Sequence, residues 1–230
     1  MQWPLRLGGR VSILLYPDLT GYPDSIVGFI GEEGECKVLI DAGSGSPLSN
    51  KLLLAGLIAL GVKPGDVKYT VITHAHLPNA GGAYFTHFTL KAIVAARDPD
   101  ASWIEKGDIE RTSAREFNMP FNPAPVGLRL REGGLPGCSM IKVIPTPGHT
   151  PGSVSIAYHD VAKGTIVFVG DALGRLSRRW LSSEKEWLRS LDRILSLDPD
   201  VLCTSAQCMG KEAARRFLEE VHSRGPEWME

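Results

Sequence analysis

Two histidines separated by one residue, His74 and His76, stand in the segment VITHAHLPNAGG. Residues two apart on an extended strand point to the same side, so if the apolar run Tyr69–Ile72 continues as strand, both imidazoles can reach one ion. An HxH pair alone is weak evidence for a metal. A third histidine, His149, lies in TPGHTPGS directly after the apolar stretch IKVIP, where prolines and glycines on both sides fix a side chain more rigidly than an open loop does. Asp171 ends the apolar run IVFVG beside Gly170 and Ala172, small neighbours that leave its carboxylate room to reach inward. All these groups occupy candidate strand tips followed by turns. That shared placement predicts that His74, His76, His149 and Asp171 converge on a metal.

Strands must carry these tips, and the sequence supplies them in two similar halves. Short apolar runs near residues 10–16, 26–30, 37–40 and 69–72 are separated by the turn segments PDLTGYPD, GEEGE and DAGSG. PLSNKLLLAGLIALG reads as a helix able to cover a sheet face and to stop at Gly61. GGAYFTHF reads as a short helix and LKAIVAA as the following strand. Residues 97–140 include NMPFNPAP, whose three prolines require irregular chain; this middle segment is a candidate wall or lid. The second half returns to strands at IKVIPTP, SVSIAYH, TIVFVGD and DVLCT. One helix there starts at Ser183, with Glu186 in capping-box position, and carries Leu188, Leu191, Ile194 and Leu195 on one face. A last helix places Ala214, Phe217, Leu218 and Val221 on one face and ends at Gly225. Two stacked sheets with helices outside both would bury all these faces, which predicts an α/β fold of four-layer αββα type. We expect residues 1–230 to form one domain whose halves meet around 125–140.

Composition sets the outer limits. The 230 residues are 43% hydrophobic and 22% charged, enough apolar material for a packed fold rather than a disordered chain. A formal net charge of -1 gives no general pull toward nucleic acid or anionic membrane. No stretch approaches the roughly 20 apolar residues of a membrane span, and the start lacks a signal-peptide run, so a cytoplasmic location is expected. The four cysteines, Cys36, Cys138, Cys203 and Cys208, lack CxxC pairs. Buried free thiols are the expected state, with a Cys203–Cys208 bridge as the alternative.

The segments IDAGSG, THAHLPNAGG, TPGHTPGS and VGDAL stand in the order and approximate spacing of the metallo-β-lactamase-fold hydrolases, and over nearly its full length the chain resembles that superfamily. The resemblance implies the αββα sandwich, a site at an edge of the stacked sheets, and water or hydroxide as nucleophile. It matches His74 and His76 to the first two histidines of the family pattern His-x-His-x-Asp-His. His149 matches the later histidine of the first metal position, and Asp171 the aspartate that bridges two metals or belongs to the second. Where the family has its Asp-His pair, this chain has Pro78 and Asn79. Where the family has its last histidine, it has the stretch Cys203–Ala206. An ordinary second metal site is therefore not expected.

Three imidazoles with a carboxylate or water meet the four-coordinate demand of zinc, the first expectation at one ion per chain; iron or manganese also suit such a set. Cys203, Cys208 or Asn79 are candidate replacements for a missing ligand. The expected activity is hydrolysis of a small ester, thioester, lactone or phosphoester, with Asp171 orienting water and accepting its proton. Arg175, Arg178 and Arg179 read first as a solvated or salt-bridged patch, with an anionic substrate as the alternative. Two alternatives stand beside this reading: a non-catalytic structural or ligand-binding relative, and a mononuclear iron enzyme of oxygen or sulfur chemistry. The expected partner is a small molecule, without nucleic acid or membrane, and a homodimer is the default assembly.

Overall fold

A computed structural model describes residues 3–31 and 36–229; most of the GEEGE turn, residues 32–35, lies outside them. The apolar runs of the first half form strands β1 (Leu5–Arg6), β2 (Val11–Leu15), β3 (Val27–Gly31), β4 (Lys37–Ile40), β5 (Tyr69–Val71), β6 (Ile93–Ala96) and β7 (Leu128–Arg129), which lie side by side in that order. β1 to β4 form an antiparallel meander, and each later strand joins in parallel. Parallel neighbours need long crossovers. These are α1 (Pro47–Ala59), then α2 (Leu77–Ala80) with α3 (Ala83–Phe88), then α4 (Asp100–Lys106) with the irregular chain after it.

The second sheet contains β8 (Gly133–Leu135), β9 (Cys138–Pro145), β10 (Val154–Asp160), β11 (Gly164–Gly170), β12 (Val201–Thr204) and β13 (Cys208–Gly210). β8 to β11 again meander. α5 (Glu184–Ser196) then carries the chain to β12, parallel to β11, and α6 (Lys211–Arg224) follows β13. The first sheet ends at Arg129 and the second starts at Gly133.

Alternation along the strands explains the layers. Ile13, Ile30, Val38 and Val71 of the first sheet meet Val143, Ile156, Ile166 and Phe168 of the second in a shared central core. Their neighbours Leu14, Phe29 and Leu39 face outward onto Leu53 and Leu57 of α1. Val167, Val169 and Leu202 face Trp187, Leu191 and Ile194 of α5 together with α6. The result is the expected αββα sandwich. Gly28 leaves room between the sheets: a Cβ there would stand 2.6 Å from the Phe168 ring.

Three local expectations need correction. Both cysteine pairs are joined, Cys36–Cys138 and Cys203–Cys208, so none is a free thiol. Spacing in sequence cannot reveal the first pair, 102 residues apart, whereas the second joins directly opposed residues of β12 and β13. On α5, Trp187 and Ser190 are buried while Leu188 is exposed, because the helix turns its Trp187 side to β11. Strand β5 stops at Val71, so His74 and His76 stand on the loop beyond it, and Pro78 lies in the first turn of α2.

Candidate metal centre

The loops after β5, β9 and β11 emerge at one end of the sandwich, and they bring His74, His76, His149 and Asp171 together. One potential ligand atom from each lies within 4.8 Å of the others. His76 Nδ1 is 3.0 Å from His149 Nε2. Asp171 Oδ2 stands 3.6 Å from His74 Nε2 and 3.8 Å from His149 Nε2. The three rings meet edge-on, with centroids 4.7 to 4.9 Å apart.

All three imidazoles are buried, while Asp171 is 36% exposed. Burial pushes His74 down to about 3 and His76 well below the usual histidine value, helped in each case by neighbouring histidines. Burial also lowers His149, against the opposing pull of Asp171. The rings are therefore neutral near pH 7, the state that ligates metal. His149 Nδ1 donates to the Arg175 carbonyl at 2.6 Å, which leaves the Nε2 lone pair facing the cluster. His74 Nε2 is buried with no hydrogen-bond partner. Two nitrogens about 2.0–2.1 Å from a tetrahedral zinc lie roughly 3.3 Å apart, close to the His76–His149 separation. The donor set fits zinc.

Two carboxylates that sequence reasoning did not place among the metal ligands hold these loops. Asp41 accepts from Thr73 N at 2.7 Å and from Thr73 Oγ1 at 2.9 Å, so it bonds the backbone of the loop that carries His74. Burial lifts it to about 7. Asp100 was not anticipated at all. Its fully buried carboxylate accepts from Ala75 N (2.8 Å), between the first two histidines, and from Thr150 Oγ1 (2.7 Å) and Gly152 N (2.9 Å), just after the third. It ties two ligand loops together, and burial raises it to about 6. No local pattern in RDPDASW marks it, because its partners lie 25, 50 and 52 residues away.

Of the candidate replacement ligands, the two cysteines are otherwise engaged, while Asn79 keeps a buried Oδ1 with no hydrogen-bond partner. Cys203 and Cys208 bond each other. The Asn79 amide donates to Asp41 at 2.7 Å and to Ser205 Oγ at 3.0 Å. Hydrogen bonds thus join positions at which the family's second-site histidines are expected. Above the histidines opens a cleft of about 340 Å³ whose lining includes Phe117, Asp171, Arg175 and Met229. Trp180, another residue that sequence reasoning missed, packs on His76 and His149 with ring centroids at 4.3 and 5.0 Å. Of the three arginines, Arg175 lines this cleft, whereas Arg178 and Arg179 line neighbouring grooves.

Sheets, helices and site together define a metallo-hydrolase fold with a histidine-rich centre. The profile of the metallo-beta-lactamase superfamily matches residues 7–206, and the chain belongs to that family. It is 30% identical over 199 residues to the uncharacterized protein YobT of Bacillus subtilis (strain 168), covering 80% of this chain and 78% of that protein. It is 28% identical over 149 residues to metallo-beta-lactamase domain-containing protein 1 of Xenopus laevis, covering 62% of this chain and 52% of that one. The chain thus spans about half the length of the Xenopus relative. Among solved structures, a HARLDQ-motif mutant of a metallo-beta-lactamase from Cronobacter sakazakii superposes with a TM-score of 0.78 at 20% identity, covering 97% of this chain and 95% of that one. MEM-A1, a subclass B3 metallo-beta-lactamase isolated from a soil metagenome library, gives 0.75 at 20% identity, with 97% and 94% covered. These likenesses establish the fold.

Proposed function

We propose that the chain is a single-zinc hydrolase that cleaves a small ester, thioester, lactone or phosphoester. The observation that carries this reading is the convergence of three buried, neutral imidazoles and one partly exposed carboxylate, of which His76, His149 and Asp171 line an open cleft. His74, His76 and His149 would hold the ion, with Asp171 as the fourth protein group. A bound zinc supplies Lewis acidity, polarising a substrate oxygen and acidifying water.

The protein supplies the remaining chemistry. Asp171 Oδ2 faces both the histidines and the cleft, where it can accept a hydrogen bond from the attacking water, orient it and take its proton. Trp180 covers the faces of His76 and His149 and keeps bulk water from them. Asp100 and Asp41 hold the ligand loops in place, so the site needs little rearrangement as charge develops. Pro78 and the Cys203–Cys208 bridge supply no ligands for a second ion, which favours one.

The test is a screen of zinc-loaded protein against p-nitrophenyl acetate, acetylthiocholine, γ-butyrolactone and p-nitrophenyl phosphate, beside Asp171→Asn with its zinc content measured. Turnover of at least one class is expected, falling about 100-fold or more in the variant. No turnover of any class at full zinc occupancy, or equal turnover in the variant, would overturn the proposal.

A further inference from the structure

Two segments from distant parts of the chain each place an apolar side chain on the cleft over the histidines. One is the irregular segment after α4, which presents Phe117 at the rim, 40% exposed. That segment is anchored beside the site by Leu77 N donating to the Thr112 carbonyl at 2.7 Å, one residue after His76. The other wall is the chain after α6, which places Met229 against the cleft. Leu176 N donates to the Glu227 carbonyl at 2.7 Å and Met229 N to the Leu176 carbonyl at 2.8 Å. Trp228 Nε1 donates to Glu184 at 3.3 Å. These bonds give residues 227–229 a fixed place beside the loop that follows Asp171. The family match ends at residue 206, so this wall lies outside the matched region.

Charge points the same way. Arg175 is the cation lining the cleft, and Glu227 of that same wall pairs with it at 3.5 Å. Asp171 and Glu116 also line the cleft, so its side chains add no surplus positive charge to that of the ion the histidines would hold. We propose that Phe117 and Met229 form an apolar clamp that selects neutral acyl substrates, esters or thioesters whose hydrophobic acyl chain lies between the two side chains while the carbonyl faces the histidines. This rests on the hydrolase reading above and narrows its substrate class. Burial of each added methylene, at about 0.8 kcal/mol, corresponds to about fourfold in kcat/KM while the chain still fits the clamp.

Two measurements on the full zinc-loaded chain test the clamp. The first compares kcat/KM for p-nitrophenyl acetate, butyrate and hexanoate in the wild type, Phe117→Ala and Met229→Ala. The second titrates the neutral apolar fluorophore N-phenyl-1-naphthylamine and competes it with ethyl hexanoate or ethyl acetate, which needs no turnover. The wild type should prefer hexanoate to acetate at least tenfold in the first, and ethyl hexanoate should displace the fluorophore far better than ethyl acetate in the second. Each variant should cut both preferences about tenfold while its zinc stoichiometry and circular dichroism match the wild type. Chain-length preference in displacement without any turnover upholds the clamp and sinks the hydrolase reading. Turnover that is indifferent to acyl length, or unchanged preferences in both variants, overturns the clamp and leaves the hydrolase reading standing. Preference for p-nitrophenyl phosphate over every acyl ester also overturns it.

Discussion

A buried carboxylate between two ligand loops does more for this site than its silence in the sequence suggests. Replacing Asp100 with Ala leaves the donors of Ala75, Thr150 and Gly152 buried without their acceptor, at about 1–3 kcal/mol for each one left unsatisfied. We expect Asp100→Ala to lose about 3 kcal/mol or more in urea unfolding and to bind zinc about 10- to 100-fold more weakly in chelator competition. Full zinc affinity in that variant would contradict its positioning role. The histidines give a pH prediction with a definite sign. His76 stays neutral in the fold because burial and its histidine neighbours hold it well below 6.5, while in the unfolded chain it takes up a proton below that value. The stability it contributes is thus complete above pH 6.5 and is lost as pH falls below it. Between pH 7 and pH 5 the metal-free wild type should lose more stability than metal-free His76→Ala. Urea melts at the two pH values check this, and parallel losses would rule it out. The four clustered residues were legible because each lies on a turn that follows an apolar run. Asp100, Trp180 and Met229 were not, since their roles arise only from contacts between segments distant in sequence.

The elements hold the site as firmly as the residues do, and α5 shows how. Its N-cap Ser183, legible from the Ser-x-x-Glu pattern, accepts from Glu186 N, while its own N–H donates to the Gly148 carbonyl. Farther along, Ser190 Oγ donates to the Pro147 carbonyl at 2.6 Å and Arg193 to that of Pro145 at 3.1 Å. One helix face thus carries the whole turn that presents His149. Gly148 has φ +140°, and a Cβ there would lie 2.4 Å from the Trp187 backbone, so no other residue fits between the turn and the helix. Gly148→Ala should cost about 2–4 kcal/mol and weaken zinc binding, with a melting curve and a metal titration as the checks; wild-type behaviour in both would mean that α5 does not set the His149 turn. Strand and helix positions were readable from periodicity, because period 2 and period 3.6 are local properties. The face that α5 buries was readable only in part: Leu191 and Ile194 face inward as expected, but tertiary contact turned Trp187 toward the sheet and left Leu188 exposed.

At the scale of the molecule, the two sheets share one core and one covalent staple. Cys36 precedes β4 and Cys138 begins β9, so their disulfide joins the sheets at the end opposite the metal loops. Closing a loop of about 100 residues lowers the entropy of the unfolded chain enough to contribute roughly 4–5 kcal/mol. Cys36→Ser should therefore lower the denaturant midpoint substantially while leaving zinc stoichiometry unchanged; an unaltered midpoint would show that the sandwich core alone holds the sheets together. Disulfides persist in oxidising surroundings, so reductant should reproduce the effect in the wild type. Among the described residues no helix is long and apolar enough to cross a membrane. The layered architecture was legible because both halves repeat strands followed by a covering helix, whereas the pairing across 102 residues depends on how the halves stack. The central claim is a single metal site built by His74, His76, His149 and Asp171, and the most direct test is elemental mass spectrometry on untagged protein purified without added metal or chelator. The account predicts about one zinc per chain. Two metals per chain, or none even after reconstitution with zinc, would contradict it.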